Sequence, residues 1–189
     1  MKKSLNLSAA RNTDEAEMVR AAQANPAAFA TLYQAYLPRV YNYIRARLES
    51  EEDAADLAQQ VFLQALGALP AYRPGGAPFA AWLFQIARHA VIDAHRRRKS
   101  VVSWDALPVA FHPAPGYRDM DSGLIHQEHL DLLKTLLAGL SPLQRELLAL
   151  RFAGGLSTPQ IALVVGKSHA AVKKQLTRLL HTLKEQYHE

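Results

Sequence analysis

The chain has 189 residues, 49% of them hydrophobic, enough for one ordinary domain or two small ones and too many apolar groups for a disordered tail. Lysine and arginine outnumber aspartate and glutamate by 22 to 17, a formal charge of +5 that points to a polyanionic partner. Cysteine is absent, which excludes disulfides, thiolate zinc sites and cysteine nucleophiles.

The opening stretch MKKSLNLSAARNTDEAE carries two lysines with no apolar run behind them, so it does not read as a secretory signal. No run approaches the ~18 apolar residues of a membrane span. The expectation is a soluble, cytoplasmic protein in which residues 1–24 lead into a first domain.

Helical periodicity begins with Phe29, Leu32, Tyr33, Tyr36, Val40, Ile44 and Leu48. It resumes with Leu57, Ala58, Val61, Phe62, Ala65, Leu66 and Leu69, so two amphipathic helices pack on one another. Pro38 lies inside the first and should kink or split it, because it has no N–H for the helical ladder. The second presents a polar face of Asp56, Gln59 and Gln60 with Leu63 among them. That face is short, mostly uncharged and partly apolar, and it suits a protein partner or plain solvent better than DNA.

The loop PAYRPGGAP at 70–78 ends near Phe79, where a third helix starts. Its spacing gathers Phe79, Trp82, Leu83, Ile86, Ala90 and Ala94 on one side and Gln85, Arg88, His89, His95 and Arg96 on the other. The helix ends in DAHRRRK at 93–99. Cations in a last turn complement the helix dipole, worth about 1 kcal/mol, but that does not account for Arg88 two turns upstream. A basic stripe with Tyr72, Trp82 and Phe84 nearby suits a nucleic-acid strand with stackable bases.

From Ser100 to Gly123 the periodicity stops, and three prolines with two glycines mark a flexible linker. Its aromatics, Trp104, Phe111 and Tyr117, read as parts of that linker. Helical spacing returns at Ile125 with Leu132, Leu133, Leu136, Leu137 and Leu140. SPLQ at 141–144 and STPQ at 157–160 each spell a capping box with proline at the first helical position. Gly154 and Gly155 can end the helix between them.

In STPQIALVVGKSHAAVKKQLTRLLHTL, Ala162, Gly166 and Val172 provide a small residue at a helix crossing, a residue free to take positive φ, and a β-branched anchor. That is the pattern of a helix-turn-helix. Ser168 caps the second helix, which buries Val172, Leu176, Leu179, Leu180 and Leu183. Lys173, Lys174, Thr177, Arg178 and His181 face away, where a major groove would lie. No strand-like alternation of useful length appears. The fold expected is all-α, two small helical domains at 25–99 and 124–189 joined by the linker 100–123.

Four stretches together resemble the extracytoplasmic-function group of bacterial RNA polymerase sigma factors: FATLYQAYLPRVYNYIRARL, EDAADLAQQVFLQAL, AYRPGGAPFAAWLFQIARHAVIDAHRRR and LSPLQRELLALRFAGGLSTPQIALVVGKSHAAVKKQLTRLLHTL. They come in the family's order. The resemblance implies a dissociable subunit that turns core RNA polymerase into a promoter-specific holoenzyme, with contacts to its β′ and β subunits. It implies docking on the coiled coil of the β′ clamp through Asp56, Gln59, Gln60 and Leu63. It assigns −10 recognition to Arg88, His89, Arg96 and Arg97, and −35 recognition to Lys173, Lys174, Thr177 and Arg178, with Ser168 and His169 near phosphate. It also implies an anti-sigma factor as a further partner. The chain departs from the common pattern at Gln60, usually acidic, at His89, often asparagine, and at Lys174, usually small.

A stand-alone helix-turn-helix regulator is the alternative, since it would share the C-terminal domain and dimerise on paired half-sites. It would need neither the Asp56 to Leu63 face nor the basic stripe ending at Arg97. An enzyme is not expected, and nothing calls for a cofactor. His126 and His129 flank Glu128 without an H-E-x-x-H pattern or a second ligand cluster, and read as surface histidines.

Overall fold

The computed structural model describes residues 15–99 and 135–188, with side chains described to Arg97 and Tyr187. The linker, with Trp104, Phe111 and Tyr117, and the histidines His126 and His129 lie outside the described residues. Every regular element among the described residues is helical.

Helix α1, residues 15–24, buries Val19 and Ala22. Its Gln23 amide donates to the carbonyls of Leu69 and Tyr72 at 3.0 and 2.6 Å, which ties α1 to the loop before the third long helix. A short 3-10 turn, Pro26–Ala28, capped by Asn25, leads into α2, Phe29–Arg45. Phe29, Leu32, Tyr36, Val40, Tyr43 and Ile44 form its buried face. Pro38 does not split α2 as its chemistry led us to expect. Pro38 and Gln34, the residue whose carbonyl loses its helical donor, are both exposed, so water can satisfy that carbonyl.

Helix α3, Glu51–Ala68, starts at Ser50, whose hydroxyl accepts from Asp53 N–H at 3.1 Å. Three acidic residues in its first turn complement the dipole. Leu57, Ala58, Val61, Phe62 and Ala65 face the core, where Phe62 packs edge-on against Tyr33 and Phe29. The turn Leu69–Ala71 and a loop with Gly75 at φ 101° precede α4, Phe79–Lys99. Glu15 of α1 accepts from the Phe79 N–H at 2.9 Å, placing a carboxylate at the start of α4.

In the second block residues 135–138, α5, are helical, and a capping box built by Ser141 and Gln144 starts α6, Pro142–Leu148. The helix continues as a π turn, Ala149–Ala153, in which Gly154 N–H reaches back to Ala149. Gly155 then adopts φ 63° and reverses the chain. Helix α7, Thr158–Val165, ends at Gly166 with φ 67°, and α8, His169–His188, begins after Ser168, whose hydroxyl accepts from Ala171 N–H. At the start of α7 the Gln160 side-chain carbonyl accepts from Ser157 N–H at 2.9 Å.

The helix-turn-helix forms as its spacing requires: Ala162 is buried at the crossing and Val172 fully buried beneath the second helix. Leu176 and Leu179 complete the stripe, but Leu180, expected inside, is exposed because it flanks the seam that Val172, Leu176 and Leu179 follow. Buried residues of both blocks form one continuous core from Val19 to Leu176, and Leu137, Leu148 and Leu179 make a small satellite.

Candidate nucleic-acid interface

Three surfaces carry the residues singled out from the sequence. On α3, Asp56, Gln59, Gln60 and Leu63 stand at i, i+3, i+4 and i+7 and are all exposed, so they form one stripe opposite the core. Leu63 is 69% exposed, more than any other large hydrophobic residue among the described residues.

On α4, His89, Arg96 and Arg97 are exposed, and Arg96 pairs with Asp93 at 3.2 Å. A shallow cleft between α3 and α4 is lined by Asp56, Gln60 and Arg97, bringing residues of two expected surfaces to one place. Near the start of α4, Tyr72 packs against Phe79 and Trp82, and its hydroxyl donates to Ala77 O. Burial holds the Tyr72 phenol above its ordinary pKa.

Phe84 does not join this group. It is fully buried, with its ring edge-on to Tyr43 and beside the Gly154 backbone, because α4 also packs on α7 of the second block. Arg88 lies at the edge of that contact, with Nε 3.6 Å from Glu146 of α6.

On α8, Lys173, Lys174, Thr177 and Arg178 are exposed on the face away from the core, with Ser168 and His169 at its N-terminal end. His181, on the same face, pairs with Glu185 at 3.0 Å. The helix thus presents two lysines and an arginine within two turns, donors of the kind that pair with guanine edges or phosphates.

The sequence reading missed the polar hub that joins the blocks. Glu146 is 6% exposed, accepts from the Tyr43 hydroxyl at 2.7 Å, and lies 3.4 Å from Arg47 as well as near Arg88. Burial, with the Glu146 charge beside it, pushes the Tyr43 phenol well above its ordinary pKa. Arg39 donates to the carbonyls of Gly154 and Gly155 at 2.9 and 3.2 Å while lying over the rings of Tyr36 and Phe84. Gln85 donates to Leu163 O at 3.0 Å. A signal existed: Glu146 falls on the same helical stripe as Leu143, Leu147 and Leu150, where a charge needs a partner.

Family comparison matches residues 32–101 to sigma-70 region 2 and residues 130–183 to sigma-70 region 4. The extracytoplasmic-function (ECF) sigma factor SigD of Mycobacterium tuberculosis is 37% identical over 155 residues, covering 79% of this chain and 72% of that protein. The chain is an ECF sigma factor. The ECF sigma factor ShbA of Streptomyces griseus is 36% identical, across 78% of this chain and 81% of its own. Among solved structures, the sigma factor RpoE of Bartonella quintana, in complex with the anti-sigma factor NepR, is similar with a TM-score of 0.62 and 26% identity, over 84% of this chain and 95% of that one.

As a sigma factor the chain directs RNA polymerase to promoters and is not itself an enzyme. Among the described residues there is no cluster of three or more histidine, aspartate or glutamate side chains able to hold a metal ion. No helix among them is long and apolar enough to cross a membrane.

Proposed function

We propose that the two blocks, 25–99 and 124–189 with the linker 100–123 between them, divide the promoter between them in this sigma factor. The exposed stripe Asp56, Gln59, Gln60 and Leu63 docks on the coiled coil of the polymerase β′ clamp, with further contact to the β subunit. Arg88, His89, Arg96 and Arg97 hold the −10 element and its non-template strand. Lys173, Lys174, Thr177 and Arg178 read the −35 duplex, with Ser168 and His169 at phosphates. An anti-sigma factor, such as the one bound to the Bartonella relative, is the expected inhibitory partner.

The observation that carries this reading is the coexistence of two separate basic faces, on α4 and α8, with an exposed stripe on α3 that is neither basic nor packed. A stand-alone regulator uses only the second of these. Retention of core polymerase on the immobilised chain tests the docking assignment. Asp56→Ala should lose retention, and unchanged retention would sink the assignment.

A further inference from the structure

Helix α1 grips both ends of the loop that precedes α4. At the start of the loop the Gln23 amide nitrogen donates to the carbonyls of Leu69 and Tyr72. At its end Glu15 Oε1 accepts from the Phe79 N–H, while Oε2 accepts from the Tyr36 hydroxyl of α2. Glu15 and Gln23 are eight positions apart, about 12 Å along a helix, so one rigid rod sets the span of the loop. Inside the loop the Tyr72 hydroxyl donates to Ala77 O, the Gly76 N–H donates to Arg73 O, and Gly75 makes the turn at φ 101°.

What the grip holds in place is an aromatic edge. Tyr72 packs on Phe79 and Trp82, with ring centroids 5.8 and 5.1 Å apart. Trp82 is half-buried at the border between the two faces of α4, and His89 and Arg96, both exposed, follow it at i+7 and i+14. The three positions make one line about 21 Å long that starts where Tyr72 sits. Moving either end of the loop would shift the aromatic edge against this line, because Tyr72 and Phe79 are the two residues that α1 ties down.

We propose that Glu15 and Gln23 are positioning residues for promoter opening: through the loop 72–79 they hold the Tyr72 and Trp82 edge and the start of α4 in the arrangement that receives the separated non-template strand. This inference rests on the proposed −10 role of α4. A loop fixed before DNA arrives need not be ordered when the strand binds. The grip is therefore felt when the strand is captured, and not when the duplex is first met.

Holoenzyme assembled from the full chain and core polymerase, on a promoter that the unaltered chain transcribes, separates these two steps. A fluorescent base analogue in the −10 element reports the rate of opening, and the concentration dependence of that rate gives the affinity for duplex. Glu15→Ala should slow opening about tenfold, the loss of a hydrogen bond to a charged group, and Gln23→Met should slow it in the same direction. Duplex affinity and retention of core polymerase should stay within about twofold. Glu15→Gln, which keeps an acceptor for the Phe79 N–H, should restore most of the rate. In the free chain, Trp104→Phe leaves Trp82 as the one tryptophan, and its quenching by acrylamide should rise when Glu15→Ala or Gln23→Met is added.

Opening rates unchanged in both variants overturn the proposal. So does a parallel fall in opening, duplex affinity and core retention, which would make the grip a matter of stability alone. Unchanged quenching of Trp82 overturns it as well, and that measurement needs no DNA. Failure of the unaltered holoenzyme to open any promoter would instead count against the −10 role of α4, with the quenching still deciding whether α1 holds the edge.

Discussion

Gly154 shows how closely single atoms join the two blocks. A methyl group there would meet Phe84 Cε1 at 2.6 Å and Leu150 O and Leu156 Cδ1 at 3.0 Å, all in packed surroundings. Gly154→Ala should destabilise the chain by about 1–3 kcal/mol in denaturant unfolding, the usual cost of overpacking. Gly67 of α3, with open space about its Cα, is the matched control: Gly67→Ala should be neutral or stabilise by up to about 1 kcal/mol. The buried tyrosines set a second prediction. Burial and the nearby carboxylates of Glu15 and Glu146 raise the Tyr36 and Tyr43 phenols above their ordinary range. In the unfolded chain these groups ionise near pH 10. Above that pH the unfolded state binds fewer protons than the native one, so stability is retained below about pH 10 and falls as pH rises further. The expected slope is about 1.4 kcal/mol per pH unit for each tyrosine, and Tyr43→Phe should flatten it in urea titrations at alkaline pH. An identical slope in the variant would contradict the account of Tyr43.

At the scale of elements, the helix starts were the most legible features. Ser141 with Gln144 and Gly166 with Ala162 and Val172 act locally, through caps and turns whose residue types are dictated by nearby backbone groups. The faces of α3 and α8 were legible for the same reason, since each has one apolar stripe and one solvent stripe. Helix α4 was half legible. Its first apolar face follows simple spacing, but Phe84 is buried against Tyr43 and the Gly154 backbone, parts of the chain distant in sequence. Phe84 therefore read as a stacking aromatic when it is a core residue. For α8 the sharpest prediction concerns Lys174, exposed on the face proposed to read the −35 duplex. Lys174→Ala should change preference at one −35 position in a binding series across substituted duplexes. Equal loss on every sequence would make it a phosphate contact instead.

For the whole molecule, the division into two helical blocks could be read from periodicity, but their packing could not. The residues that join them, Arg39, Tyr43 and Arg47, recur every four positions along and just beyond α2 and look like an ordinary polar edge. Their partners are 99 or more positions away, so no local pattern connects them. Glu146 was the one hint, a charge on an apolar stripe, and its partners emerge only when the helices are assembled. The central claim concerns what the assembled chain does with polymerase. The most direct measurement is run-off transcription with core RNA polymerase from the chain's own organism across candidate promoters. Product above core alone, lost when the −10 or −35 element is altered, is the predicted result. No product at any promoter, together with a shift of a palindromic duplex by the chain alone, would contradict the account.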